Sequence, residues 1–205
     1  MQIEFEIIVK PVQMQKRLED IASITSGVYE KVHPSGDTLY LQGKHFDAYG
    51  RIRRDMIMHP ELQADERLGK HLLRDGDILL IAKGENNKAC MYQKEIGQAV
   101  ASSTFFLIRL TESGLLPEFL QWYFNTGYMK DMFSGLSIGT QIASLSKKTL
   151  SEIEVPVPPL TKQREMLEMQ RLWDTEKALT TELLNLKDTL YQKLLLNQAK
   201  STLVK

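Results

Sequence analysis

The sequence predicts a mixed α+β domain over residues 1–159, followed by a long C-terminal coiled-coil-forming helix over residues 160–205. Three observations predict it. Short β-rich runs at 38–42, 78–82 and 99–110 are interleaved with helical patterns. Three prolines crowd Pro156–Pro159. From Thr161 to Gln198 proline and glycine vanish, while apolar residues recur at three- and four-residue steps.

Taken in order, Ile3 to Val9 alternates apolar and acidic residues with the period of two of a strand, and Gln13 to Ile21 reads as a short helix. Ser23 to Asp37 is rich in Ser, Gly, Thr and Pro and reads as a loop, before a strand at Thr38–Gln42. Asp75-Gly76-Asp77 is a turn signal leading into the buried strand Ile78–Ala82. Ala99 to Leu110 reads as one further strand. Pro117 suits a first helical turn, where its missing N–H costs nothing, and the apolar spacing carries that helix to about Phe133. Ser137–Ser144 is a small-residue loop. Ser146 can cap a one- or two-turn helix, and Ile153–Pro159 must be extended, because its prolines deny helical and central-strand hydrogen bonds alike. That run is read as a linker.

In the C-terminal helix Met169, Leu172, Leu179, Leu183, Leu186 and Leu190 fall on one seam, with Trp173, Leu184, Tyr191 and Leu195 beside it. At 1.5 Å per residue the helix would run about 55 Å, longer than a domain of this size is wide. No turn signal lets it fold back on itself, so an antiparallel mate is expected, either a second copy or a helix of a partner. Packing on the chain's own domain is the alternative.

Lys and Arg total 26, matched by 26 Asp and Glu, so distribution has to supply what net charge does not. Lys44, His45, Arg51, Arg53 and Arg54 crowd one stretch, which is either a phosphate-facing patch or a solvated surface. The single cysteine, Cys90, excludes an internal disulfide and suits a reducing, cytoplasmic setting. No apolar run approaches a membrane span, and the N-terminus lacks a signal-peptide pattern.

Catalytic signatures are missing. No carboxylate stands two residues before a lysine, as metal-dependent nucleases require. Pro158-Pro159 follows Val157 rather than the polar residue that holds a flipped base's amino group. No GxGxxG occurs, Gly43-Lys44 and Gly69-Lys70 lack phosphate-loop spacing, and the four histidines show no metal-ligand pairing. No catalytic residue, metal or cofactor is therefore expected on this chain.

Several segments together resemble one half of a specificity subunit of type I restriction-modification enzymes. They are Arg17-Leu18-Glu19-Asp20-Ile21 with Thr25-Ser26-Gly27, Leu73-Arg74-Asp75-Gly76-Asp77-Ile78-Leu79, the aromatic helix from Pro117, Gly139-Thr140-Gln141 with Leu145-Ser146-Lys147-Lys148, and Ile153-Glu154-Val155-Pro156-Val157-Pro158-Pro159-Leu160 entering the long helix. Lys162-Gln163 departs from the pattern, where an acid before the glutamine is expected. The resemblance implies a target recognition domain that reads double-stranded DNA, and a helix acting as ruler to a second such domain. It also implies partners that do the chemistry: methyltransferase subunits carrying S-adenosylmethionine, and a restriction motor-nuclease subunit using ATP and magnesium. With one domain and one helix, the chain would pair with itself as a homodimer or with a complementary half. A stand-alone DNA-binding regulator, or an interaction module dimerising through its helix, is the competing reading.

Within that resemblance, Lys83, Asn86, Asn87 and Lys88 offer paired donors and acceptors for base edges just beyond a strand end, with an ordinary polar hairpin as the alternative. Gly139, Thr140 and Gln141 form a second candidate loop. Lys44, Arg51, Arg53, Arg54 and Lys147 are candidate phosphate anchors, which set register but carry little sequence information.

Overall fold

The computed structural model describes residues 14–32, 36–47, 49–53, 55–56, 58–82, 87–136 and 145–202. They fall into two compact units, one ending at Gln163 and one beginning at Arg164.

The first unit is built on a four-stranded antiparallel sheet. β4 (Ile78–Ile81) and β7 (Phe105–Leu110) are its central strands, flanked by β2 (Ala22–Ser26) and β5 (Ala89–Met91) in the order β2-β7-β4-β5. β4 is an unbroken apolar run because both of its faces are covered: Ile78, Leu79 and Leu80 have no exposed surface. On one face Leu79, Phe105 and Leu107 join Leu41, Phe46, Cys90 and Tyr92 in a single cluster. A parallel pair, β3 (Leu39–Leu41) with β6 (Ala99–Ala101), contributes to it.

A single helical turn, α2 (Glu66–Gly69), precedes the turn before β4, which forms as its sequence predicts. Asp77 is buried and accepts two hydrogen bonds from Arg109, from Nε at 2.7 Å and Nη2 at 2.6 Å, and one from the Arg74 N–H at 2.7 Å. Gly76 takes φ +82, a left-handed value that side-chain-bearing residues avoid.

Several elements differ from the expectation. The strand expected at Ile3–Val9 lies outside the described residues. The helix expected over 13–21 is a single turn, α1 (Leu18–Ile21), preceded by β1 (Gln15–Arg17). β1 pairs antiparallel with β8 (Glu154–Pro156), so the proline-rich run is bonded into the domain rather than being a linker. Pro156 has no N–H to give, and the chain crosses over on either side of it, through Val157 N to Met14 O at 3.0 Å and Leu18 N to Ile153 O at 2.9 Å. A two-stranded ribbon tolerates proline where a central strand would not. The expected loop from Ser23 contains most of β2, because Ala22 and Ile24 alone face inward and the Ser and Thr side chains face out.

The run 99–110 is two strands in two sheets, broken where Phe105 N closes on Ser102 O at 3.0 Å. The helix expected from Pro117 to Phe133 is also two, α3 (Pro117–Phe124) and α4 (Gly127–Leu136). The break follows from Thr126, whose Oγ1 donates to Tyr123 O at 2.7 Å and accepts from Met129 N at 3.3 Å, ending one helix and capping the next. Phe119, Phe124 and Phe133 are core residues. Ser146 caps α5 (Lys147–Ser151), its Oγ accepting from Thr149 N at 3.0 Å.

The long helix is α6 (Leu160–Thr202), 43 residues and about 65 Å long. Its first turn belongs to the first unit. Gln163 is fully buried, accepts from Leu116 N at 2.8 Å, and donates to Gly114 O at 2.8 Å and Pro158 O at 2.7 Å. From Arg164 onward the helix carries local ion pairs, Glu168 with Arg171 and Asp174 with Lys177. Most of its apolar residues are exposed, including all of Met169, Leu172, Leu179, Leu183, Leu186 and Leu190. Among the described residues no helix is long and apolar enough to cross a membrane.

Candidate nucleic-acid interface

The basic stretch picked out by the sequence forms a short β-ribbon against the sheet edge. Phe46 and Ile52 face each other as an antiparallel bridge, with Asp47 N bonding Arg51 O at 2.8 Å and Arg53 N bonding His45 O at 2.9 Å. Asp47 starts the turn. Its Oδ1 accepts from both the Tyr49 and Arg51 N–H groups, at 2.8 and 2.9 Å, which is what makes Asp a turn initiator. Gly50 takes φ +75, and a Cβ there would lie 2.2 Å from Ala89 O, so the tip must be glycine.

Side chains from the rest of the domain hold this ribbon in place. Lys88 Nζ donates to Asp47 O, Gln121 Nε2 from α3 donates to Gly50 O at 3.3 Å, and Phe46 packs edge-on to Phe105 with ring centres 5.9 Å apart. Asn125 reinforces the strand behind it, accepting from Ala89 N at 3.1 Å and donating to Ala89 O at 2.8 Å. His45, at the ribbon's base, accepts from Gln42 N through Nδ1 at 3.1 Å; burial first, then Lys44, pushes its pKa down, which keeps it neutral.

Outside this frame the ribbon presents Tyr49 and Arg51, with the guanidinium 5.7 Å from the ring centre. Beside them opens a groove of about 1050 Å3 lined by Asp47, Arg51, Arg53, Asp55, Gln93, Glu95 and Gln121 among others. Its described lining carries three carboxylates, Asp47, Asp55 and Glu95, and two guanidiniums, Arg51 and Arg53. Arg53 is closed in a two-point pair with Asp55, Nε to Oδ1 at 3.1 Å and Nη2 to Oδ2 at 2.6 Å. That hydrogen bonding lowers the Asp55 pKa and raises that of Arg53, so both stay charged.

The family model of the type I restriction modification DNA specificity domain matches residues 14–187. The chain belongs to that family. Solved structures agree with this specificity-domain assignment at the level of fold. A chain from work on complex assembly and conformational transition of the type I R-M system matches with TM-score 0.62 at 18% identity, covering 85% of this chain and 41% of its own. The HsdS subunit from Thermoanaerobacter tengcongensis matches with TM-score 0.60 at 20% identity, covering 83% and 39%. The S subunit from M. genitalium matches with TM-score 0.54 at 12% identity, covering 79% and 39%. This specificity-domain chain thus spans about two fifths of the length of the solved chains it matches. No curated protein matches it.

The structure brings some of the sequence-selected residues of this specificity domain together and turns others inward. Asn87 is buried, with Nδ2 donating to Ile81 O at 2.8 Å, and Lys88 is spent on Asp47 O. Both hold the β4–β5 hairpin and the ribbon instead of reaching outward, because polar groups drawn away from water are bonded locally. Lys44 and Lys147 are exposed, the latter opening α5. Lys83, Asn86, Arg54, Gly139, Thr140 and Gln141 lie outside the described residues. Among the described residues no group of three His, Cys, Asp or Glu could hold a metal. Tyr49 and Gln121 were not selected from sequence. The signal for Tyr49 was the Asp47 and Gly50 spacing, which marks a turn tip, and Gln121 had none.

Proposed function

We propose that this chain reads one half of a bipartite DNA site, and that two copies joined through α6 act as the specificity unit of a type I restriction-modification assembly. In this reading the first unit supplies the reading head and α6 supplies the ruler. The methyltransferase and restriction motor-nuclease subunits are the partners, and S-adenosylmethionine, ATP and magnesium serve those partners rather than this chain.

One observation carries the reading: α6, in a chain of the type I specificity family, is a 43-residue helix whose leucine seam is exposed along its length. Each such leucine contributes about 1.5–3 kcal/mol when fully taken out of water. A seam against a second seam therefore outweighs the about 4–15 kcal/mol that association costs. A two-fold axis relating two identical heads maps onto the DNA as an inverted repeat.

Selection of bound fragments from a random DNA pool, using the chain with its cognate modification subunit, tests this. The expected product is an inverted repeat with a fixed gap. Two unlike half-sites would show that a complementary half is required, and binding to DNA without any modification subunit copurifying would favour a stand-alone regulator.

A further inference from the structure

We propose that α6 pairs antiparallel with α6 of a second copy in one register, set by two ion pairs in which Glu176 of each copy meets Lys193 of the other. This rests on the reading of the chain as a homodimer joined through that helix.

The leucine seam carries charges at fixed places. Followed by its own three- and four-residue steps, it passes through Glu176 between Leu172 and Leu179, and beyond Leu190 it reaches Lys193 and then Asn197. All three polar residues are exposed. A polar residue on such a seam lowers the stability of a helix pair and in return specifies which register forms. Neither charge has an outlet along its own helix. Side chains pair along a helix at a distance of three or four residues, and there Glu176 finds no base and Lys193 no acid. The ion pairs that α6 does carry, Glu168 with Arg171 and Asp174 with Lys177, use neither of them.

The two charges stand symmetrically about the leucines. An antiparallel mate whose two-fold axis passes between Leu184 and Asn185 sets Leu183 against Leu186 and Leu179 against Leu190, with Glu176 against Lys193 next outward on both sides. Leu172 then faces Asn197. Beside the seam Trp173 faces Leu194, so two further exposed apolar side chains find cover. Sliding the mate by one heptad in either direction leaves Lys193 against an apolar residue, Met169 or Leu183, and strands its charge. A parallel mate in register sets Glu176 against Glu176 and Lys193 against Lys193, and like charges so placed repel. The seam is thus complementary to itself in one antiparallel register. That self-complementarity selects a second copy of this chain over an unlike helix.

The dimer dissociation constant of the full chain, measured by sedimentation equilibrium at low salt, tests the register with Glu176→Lys, Lys193→Glu and a double variant carrying both changes. Each single variant brings like charges together on both sides of the axis and should weaken the dimer by about 10- to 100-fold. The double variant restores both pairs with their signs exchanged and should return to within about threefold of wild type. A parallel pair predicts a different pattern, because there each single change exchanges one like-charged layer for another and leaves the affinity as it was. Single variants that dimerise as wild type does, or a double variant that binds no tighter than either single, would overturn this register while the homodimer stands. A wild-type chain that stays monomeric would overturn both.

Discussion

Leu79 and Leu183 are the same side chain put to opposite uses. Leu79 sits in β4 with no exposed surface, enclosed by Leu41, Phe105 and Tyr92, whereas Leu183 sits on α6 with half its surface in water. The domain buries most of its large apolar residues in its own core. The helix spends almost none of its own, and its local support is backbone hydrogen bonds with i,i+3 ion pairs and a Gln170–Asp174 hydrogen bond, each pair worth a few tenths of a kcal/mol. One region closes its leucines into its own core, and the other leaves them in water.

The largest effect should come from opening the closed region. Phe105→Ala removes a fully buried ring packed against Phe46 and should cost about 3–5 kcal/mol, read as a lowered urea midpoint that does not depend on protein concentration. The matched change Leu183→Ala should leave that midpoint in place and alter only concentration-dependent signals. Equal effects of the two would erase the distinction. Next in size is Gln163, where the two regions meet. Gln163→Ala strips partners from Leu116 N, Gly114 O and Pro158 O and should cost about 2 kcal/mol in the same assay. A neutral result would place the domain's end before α6 begins.

The smallest effect sharpens how dry the closed region is. Burial pushes the Cys90 thiol from 9.0 up to about 12. A thiol whose pKa is raised on folding holds its proton in the native state while the unfolded chain loses its own. Stability is therefore full below pH 9 and falls as pH rises from there toward 12. Relative to Cys90→Ala, wild type should lose about 1 kcal/mol by pH 10, and an identical pH profile for the two would mean the thiol is reached by water.

How far the sequence disclosed this depended on whether the deciding interaction was local. The 75–81 turn and strand, the Ser146 cap and the long helix were all readable, since each is set by residues within a few positions. β2 was hidden because its outward Ser23, Thr25 and Ser26 look like loop residues, and what makes it a strand is pairing with β7 eighty residues away. β8 was hidden by its prolines, which a two-stranded ribbon with β1 tolerates. At the site the charges were visible but their assignments were not. Nothing local shows that Arg53 pairs with Asp55 while Arg51 lies on Tyr49, or that Asn87 and Lys88 turn inward. Those follow from where the sheet edge and α3 hold the ribbon.

Sedimentation equilibrium of the full chain at micromolar concentration tests most directly whether α6 requires a mate, compared with a variant carrying Leu179→Gln, Leu183→Gln, Leu186→Gln and Leu190→Gln. Twice the 23.5 kDa chain mass for wild type and the single mass for the variant, with the domain's urea midpoint shared by both, is the predicted result. A wild-type monomer, or a dimer indifferent to the four substitutions, would contradict it.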